Sequence, residues 1–267
     1  MKNRLQAYRQ SREDLLARMV TALSNDERFV AAWLTGSYAR NEADEVSDLD
    51  LHVVVAETYC ESLCARQEQV SHRTAAARLA VFNKFGTPAW IHENNNNAPE
   101  GGTFTFVLYA ESALMVDWVL IPMAGAERPY LSQLLFDKAK ILLSPQPPLE
   151  EVEQSRKYVA EQWAFFWMML AITIKYLIRE DFVFVTHWLE ELHRIDHEIE
   201  RRMNRLPHQY TRGSLSQFGL TREKQIESIR QLCGRMQKLA PHVSLFTGFT
   251  SAIPLAEIET LLALANE

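Results

Sequence analysis

The chain has 267 residues and a formal net charge of -6, with 47% of its residues hydrophobic and 23% charged. That length supports one large domain or two moderate ones, each with its own core, and the acidic balance argues against a nonspecific grip on DNA or RNA, whose backbones select basic surfaces. The longest apolar run, Trp163 to Ile174, is too short for a bilayer, which takes about 20 residues to cross, so no membrane association is expected.

The N-terminal stretch MKNRLQAYRQSREDLLARMV is charged throughout and lacks the apolar core and cleavage site of a signal peptide. Of the three cysteines, Cys60 and Cys64 lie four apart and Cys233 is remote. An odd count without a signal peptide points to reduced thiols and a cytoplasmic location. No Cys-x-x-Cys pair suggests a zinc site.

In chain order, Leu5, Tyr8, Leu15, Leu16, Met19 and Leu23 recur at helical spacing and predict a helix over 3–24. RFVAAWLTG reads as a strand running into a turn at Gly36, and Asp48 to Val55 as a second strand. A helix is expected over 58–85, then a short strand in AWIHE and a loop in NNNNAPEGG. Thr103 to Tyr109 and Leu114 to Ile121 read as two strands joined by a tight turn. After SPQPP, Ser144 to Pro148, helix cannot continue through the prolines and strands nearly vanish. Helices are expected at 150–179, 183–205, 221–239 and 254–266, with the loop PHQYTRGSLSQFG between the second and third.

The expected fold class is therefore α+β with two domains: an α/β domain over 1–148 and a helical bundle over 149–267. Neither is basic. The first carries 18 acidic and 14 basic side chains and the second 16 and 14, so neither offers a nucleic-acid-binding patch.

The chemistry concentrates in GSYARNEADEVSDLDLHVVV, Gly36 to Val55. Side chains alternate along a strand, so Asp48 and Asp50 share a face, roughly 7 Å apart at their Cα atoms. Like charges repel there, and burying either is costly. A divalent cation resolves both problems, and both carboxylates can reach one ion or two side by side. Magnesium takes oxygen ligands, commonly one or two carboxylates plus substrate phosphates.

Asp117 stands between Val116 and Trp118 in an apolar strand, where aspartate is depleted. It makes sense if that strand lies beside the Asp48 strand and Asp117 joins the same cluster. Gly36 lets a phosphate approach the backbone, and Ser37 offers a hydroxyl and an N–H. The chain after them starts a short helix, whose N-terminus favours anions. Arg40, one turn on, can face a phosphate or solvent. A phosphate cradle beside a carboxylate-held metal is equipment for nucleotidyl or phosphoryl transfer.

These residues resemble the signature of the DNA polymerase β-type nucleotidyltransferase superfamily: Gly-Ser, a spacer of about ten residues, Asp-x-Asp in a strand, and a third carboxylate on a later strand. The form GSYARNEA…SDLD is most similar to the bacterial antibiotic nucleotidyltransferases, which adenylylate aminoglycosides or lincosamides and pair an α/β domain containing a mixed sheet with a helical bundle. Where that family often has Gly one residue after the Arg, this chain has Asn41.

The resemblance implies magnesium, expected as two ions, on Asp48 and Asp50, with ATP as co-substrate and its terminal phosphates on Ser37. Asp117 would be a metal ligand or the base that takes the proton from the substrate hydroxyl. The expected partner is a small-molecule hydroxyl acceptor such as a cationic antibiotic, with AMP transferred and pyrophosphate released. Transfer to a protein hydroxyl and a nucleotide-binding regulator without catalysis stand as alternatives.

Ser47 either binds the nucleotide or caps the turn before its strand. Lys175, at the end of the apolar run, either snorkels from a core helix or reaches phosphates in an interdomain cleft. Trp163, Phe166, Trp167 and Leu170 read as core. His193 and His197 share a helix face at a spacing that can bind zinc; His-Glu-x-x-His is absent, and a solvated helix face is the plainer reading.

Overall fold

The structure, a computed structural model, describes residues 2–66, 74–206, 221–249 and 253–265. The chain divides into two compact units, Met1–Gln146 and Pro147–Glu267.

The first unit opens with helix α1 (Lys2–Ser24), followed by β1 (Phe29–Leu34), the single turn α2 (Gly36–Ala39) and β2 (Leu49–Val55). Next come α3 (Cys60–Leu63), α4 (Ala76–Phe82), β3 (Pro88–Glu93), β4 (Thr103–Tyr109) and β5 (Met115–Pro122). The short strands β6 (Glu127–Arg128), β7 (Gln133–Asp137) and β8 (Leu142–Leu143) complete it. Six strands form one mixed sheet in the order β3-β4-β5-β2-β1-β7, with β2 and β5 parallel at its centre and the other pairings antiparallel.

Alternation along the central strands builds two faces. Leu49, Leu51, Val53, Val116, Trp118 and Leu120 pack with Leu15, Met19 and Leu23 of α1 and with Phe82 of α4. Fully burying each large apolar side chain contributes about 1.5–3 kcal/mol, so this layer fixes which residues of β2 and β5 face away from it. Those include Asp50, His52, Asp117 and Val119. The far end of that second face is apolar again, with Trp33, Val54, Val119 and Ile121 in one cluster.

The expected helix over 58–85 is not continuous. The chain leaves helix at Cys64 and re-enters at Ala76, and 67–73 lies outside the described residues. Arg78 explains the break: its guanidinium Nη1 donates to the carbonyls of Leu63 at 2.8 Å and Ala65 at 2.7 Å. A continuous helix would spend those oxygens on backbone N–H groups. Strand β7, which the sequence reading did not foresee, is a half-exposed edge strand on β1.

The second unit is helical: α5 (Val152–Ile178), α6 (Phe182–Met203), α7 (Arg222–Thr247) and α8 (Leu255–Ala265). Asp181 caps α6, its carboxylate accepting from the Phe184 N–H at 3.0 Å. Val185, Leu189, Leu192, Ile195 and Ile199 of α6 recur at helical spacing and are buried with Phe166, Leu170 and Ile174 of α5 and Ile229, Leu232 and Met236 of α7. Helix α7 passes its expected end and continues through Pro241. The turn beyond that proline buries Val243, and this packing offsets the lost backbone hydrogen bond. The loop PHQYTRGSLSQFG lies outside the described residues. No helix among the described residues is long and apolar enough to cross a membrane.

Candidate active site

Strands β2 and β5 bring three carboxylates together. Their parallel register pairs Asp50 with Asp117 directly, so the two side chains stand side by side on one face. Asp48 sits one residue before β2. One carboxylate oxygen from each of Asp48, Asp50 and Asp117 lies within 4.8 Å of the others, and all three residues are half-buried.

The electrostatics follow. Burial and the Asp48 and Asp50 charges push the Asp117 carboxyl up to about 7. Burial and the Asp48 charge raise Asp50 as well, with Arg40 pulling the other way. A cluster that resists ionisation for these reasons is completed by a cation, and an all-oxygen donor set suits magnesium. The residues present therefore fit a divalent metal.

The Gly-Ser turn closes on the same carboxylates. The Thr35 N–H donates to the Asp50 carbonyl at 3.0 Å. Gly36 then takes a left-handed φ of 59°, and a Cβ on it would lie 1.8 Å from Asp50 Oδ2. Only glycine permits both the turn and the close approach. Ser37 is buried and its hydroxyl has no hydrogen-bond partner, as expected of a donor held for a ligand. Asn41 has a left-handed φ of 57°, which explains why glycine is common at that position in the resembling family; asparagine is among the residues that tolerate it best.

The other expected site residues separate. Arg40 donates through Nε to Glu42 at 2.8 Å, and its charge is felt at Asp50. Ser47 is buried, and its hydroxyl both accepts from the Asp44 N–H and donates to Asp44 Oδ1, each at 2.9 Å. That hydroxyl is engaged inside its own loop, in keeping with the turn-cap reading of Ser47. Lys175 belongs to the second unit, where its Nζ lies 5.0 Å from the Tyr176 ring centroid. His193 and His197 are half-buried rather than solvated.

Two residues absent from the sequence reading support the site. Arg12 of α1 is 2% exposed, and its Nη1 donates to the carbonyls of Asp44 at 2.9 Å and Ser47 at 2.7 Å. It thereby fixes the loop that delivers Asp48. His52 of β2 lies within 3.1 Å of the Thr35 hydroxyl and stacks on Trp33, steadying the residue before Gly36. Burial pulls the His52 imidazole down to about 4, so it is uncharged at neutral pH. An arginine within an amphipathic helix carried no signal for Arg12. For His52 the only signal was a titratable residue in register with Asp48 and Asp50.

Comparison with known proteins bears on this arrangement. The model of the family described as Streptomycin adenylyltransferase matches residues 9–200, more than half of the chain. No curated protein matches. Among solved structures, an aminoglycoside 6-adenyltransferase from Bacillus subtilis aligns over 96% of this chain and 98% of its own, at 13% identity and a TM-score of 0.28. So low a TM-score adds nothing to the fold, which rests on the strand order and register above. The chain belongs to the streptomycin adenylyltransferase family and is a nucleotidyltransferase of the antibiotic-modifying type.

Proposed function

We propose that this enzyme transfers AMP from ATP to a hydroxyl of a small, cationic antibiotic of the aminoglycoside or lincosamide type, with magnesium bound and pyrophosphate released. The observation that carries this is the convergence of Asp48, Asp50 and Asp117 beside Gly36 and the unpartnered Ser37 hydroxyl.

Asp48 and Asp50 are the residues that would hold magnesium, as one ion or two. When bound, the metal neutralises phosphate charge and favours its transfer. Ser37 donates its hydroxyl to the terminal phosphates of ATP, which the open backbone at Gly36 admits. Arg40 adds positive charge on the Asp50 side. The acceptor oxygen attacks the α-phosphorus, the bond from that phosphorus to the bridging oxygen breaks, and the electron pair leaves with pyrophosphate. Asp117 takes the acceptor proton, a role suited to a carboxyl held near neutral pH. Supplies of ATP and magnesium place this reaction in the cytoplasm.

The test is a mass-spectrometric screen of aminoglycosides and lincosamides incubated with the protein, ATP and magnesium. An antibiotic carrying one added AMP, formed with one pyrophosphate, is expected. If no antibiotic is modified while labelled ATP marks protein bands in a lysate, the acceptor class is wrong.

A further inference from the structure

Helix α6 carries a second cluster with a different donor set. His193, Asp196 and His197 each offer one ligand atom, and the three atoms lie within 4.8 Å of one another. The histidines are one helical turn apart, with Nε2 atoms 3.0 Å from each other and rings nearly perpendicular at 89°. Asp196 is 1% exposed. Its Oδ2 lies 2.6 Å from Arg235 Nε on α7 but makes no aligned hydrogen bond.

A structural reading accounts for part of this. The Asp196–Arg235 contact ties α6 to α7, with Glu200 3.7 Å from the same guanidinium. The two imidazoles also face each other through Nε2, within hydrogen-bond distance and beside that carboxylate. One proton can bridge them only if one ring gives its Nε2 proton and the other has none.

The spacing suits an ion. Two nitrogens bound at about 2.0–2.1 Å to a tetrahedral zinc ion stand about 3.3 Å apart, close to the observed separation. Imidazole with carboxylate is the donor set of zinc-class ions, whereas magnesium prefers oxygen alone. A carboxylate shared with an arginine supplies the outer contact that orients a ligand.

We infer that His193, Asp196 and His197 form a binding site for a zinc-class divalent cation on α6, chemically different from the all-oxygen cluster of Asp48, Asp50 and Asp117. Three protein ligands leave a fourth position for water or an incoming group. The inference stands independently of the proposed AMP transfer, since its donors lie in the other unit.

Cobalt titration of the 267-residue chain at neutral pH tests it. The expected result is one equivalent bound with the intense visible absorption of a four-coordinate, nitrogen-containing site, displaced by zinc and untouched by excess magnesium. The Asp48→Asn/Asp50→Asn double variant should keep that absorption. His193→Gln and His197→Gln should each weaken binding by at least roughly tenfold, the least that loss of even an outer contact produces. Only the weak absorption of a six-coordinate oxygen site in the wild-type protein would overturn the inference, whatever the variants do. So would unchanged affinity in both folded histidine variants.

Discussion

The sheet unit buries charge in two ways. Around Arg78, which is fully buried, all five guanidinium protons are used: two on Glu93, two on the Leu63 and Ala65 carbonyls and one on the Thr74 hydroxyl. The Thr74 hydroxyl in turn donates to Glu93 at 2.7 Å. Around Asp50, three carboxylates converge, the Arg40 charge offsets part of their repulsion at Asp50, and a neighbouring serine hydroxyl is left over. The first cluster is complete and the second is not. A finished polar network rigidifies a fold; an unfinished one, on a central strand pair, is shaped for what binds there.

Breaking the finished network should cost the most. Arg78→Met leaves the Glu93 carboxylate buried without its partner, and a loss of about 3–5 kcal/mol is expected. Denaturant unfolding should show the loss in the midpoint. By contrast, Asp117→Asn should leave stability unchanged or improved, because it removes one of three like charges. Its turnover should fall roughly 10²–10⁴-fold, the contribution of a positioned base, while Mg·ATP affinity changes by a few-fold at most. An affinity loss matching the turnover loss would make Asp117 a metal ligand instead.

Gly36→Ala sharpens the comparison at the turn. Its Cβ meets Asp50 Oδ2, and the left-handed backbone costs an ordinary residue about 1–2 kcal/mol. Activity should fall more than the melting temperature implies, since Asp50 itself must move; equal effects on both would show a merely structural glycine.

The smallest effect is on pH dependence. Asp117, raised to about 7, binds its proton more tightly folded than unfolded. Its contribution to stability is full below the ordinary carboxylate range and is lost as pH rises through about 7. Melting in chelator should therefore favour the wild type over Asp117→Asn less at mildly alkaline than at acidic pH, and magnesium should remove most of that difference. Wild-type stability that rises relative to Asp117→Asn as pH increases would contradict that sign.

What the sequence made legible was what spacing encodes. Gly36-Ser37 and Asp48-x-Asp50 are a local pattern, and Asp117 stood out as a carboxylate in an apolar run. The register that sets Asp50 against Asp117 came from the strand pairing. Arg12 and Arg78 were illegible because their partners lie far along the chain, and nothing in a helical repeat separates a buried arginine from a solvated one. The same blindness joined α3 and α4 into one helix and stopped α7 at residue 239, short of Pro241. In the helical unit, periodicity identified the helices but not the role of any polar side chain. His193 and His197 looked like a solvated face because nothing in helical spacing marks them as half-buried.

The central claim is that Asp48 and Asp50 are there for a metal-bound nucleotide rather than for the fold. Pyrophosphate release with ATP, magnesium and a modified antibiotic, measured for wild type, Asp48→Asn and Asp50→Asn beside their melting curves, tests it most directly. Loss of turnover in both variants with melting at or above the wild-type temperature is the predicted result. Near-wild-type turnover in both, or loss of turnover only in step with unfolding, would contradict it.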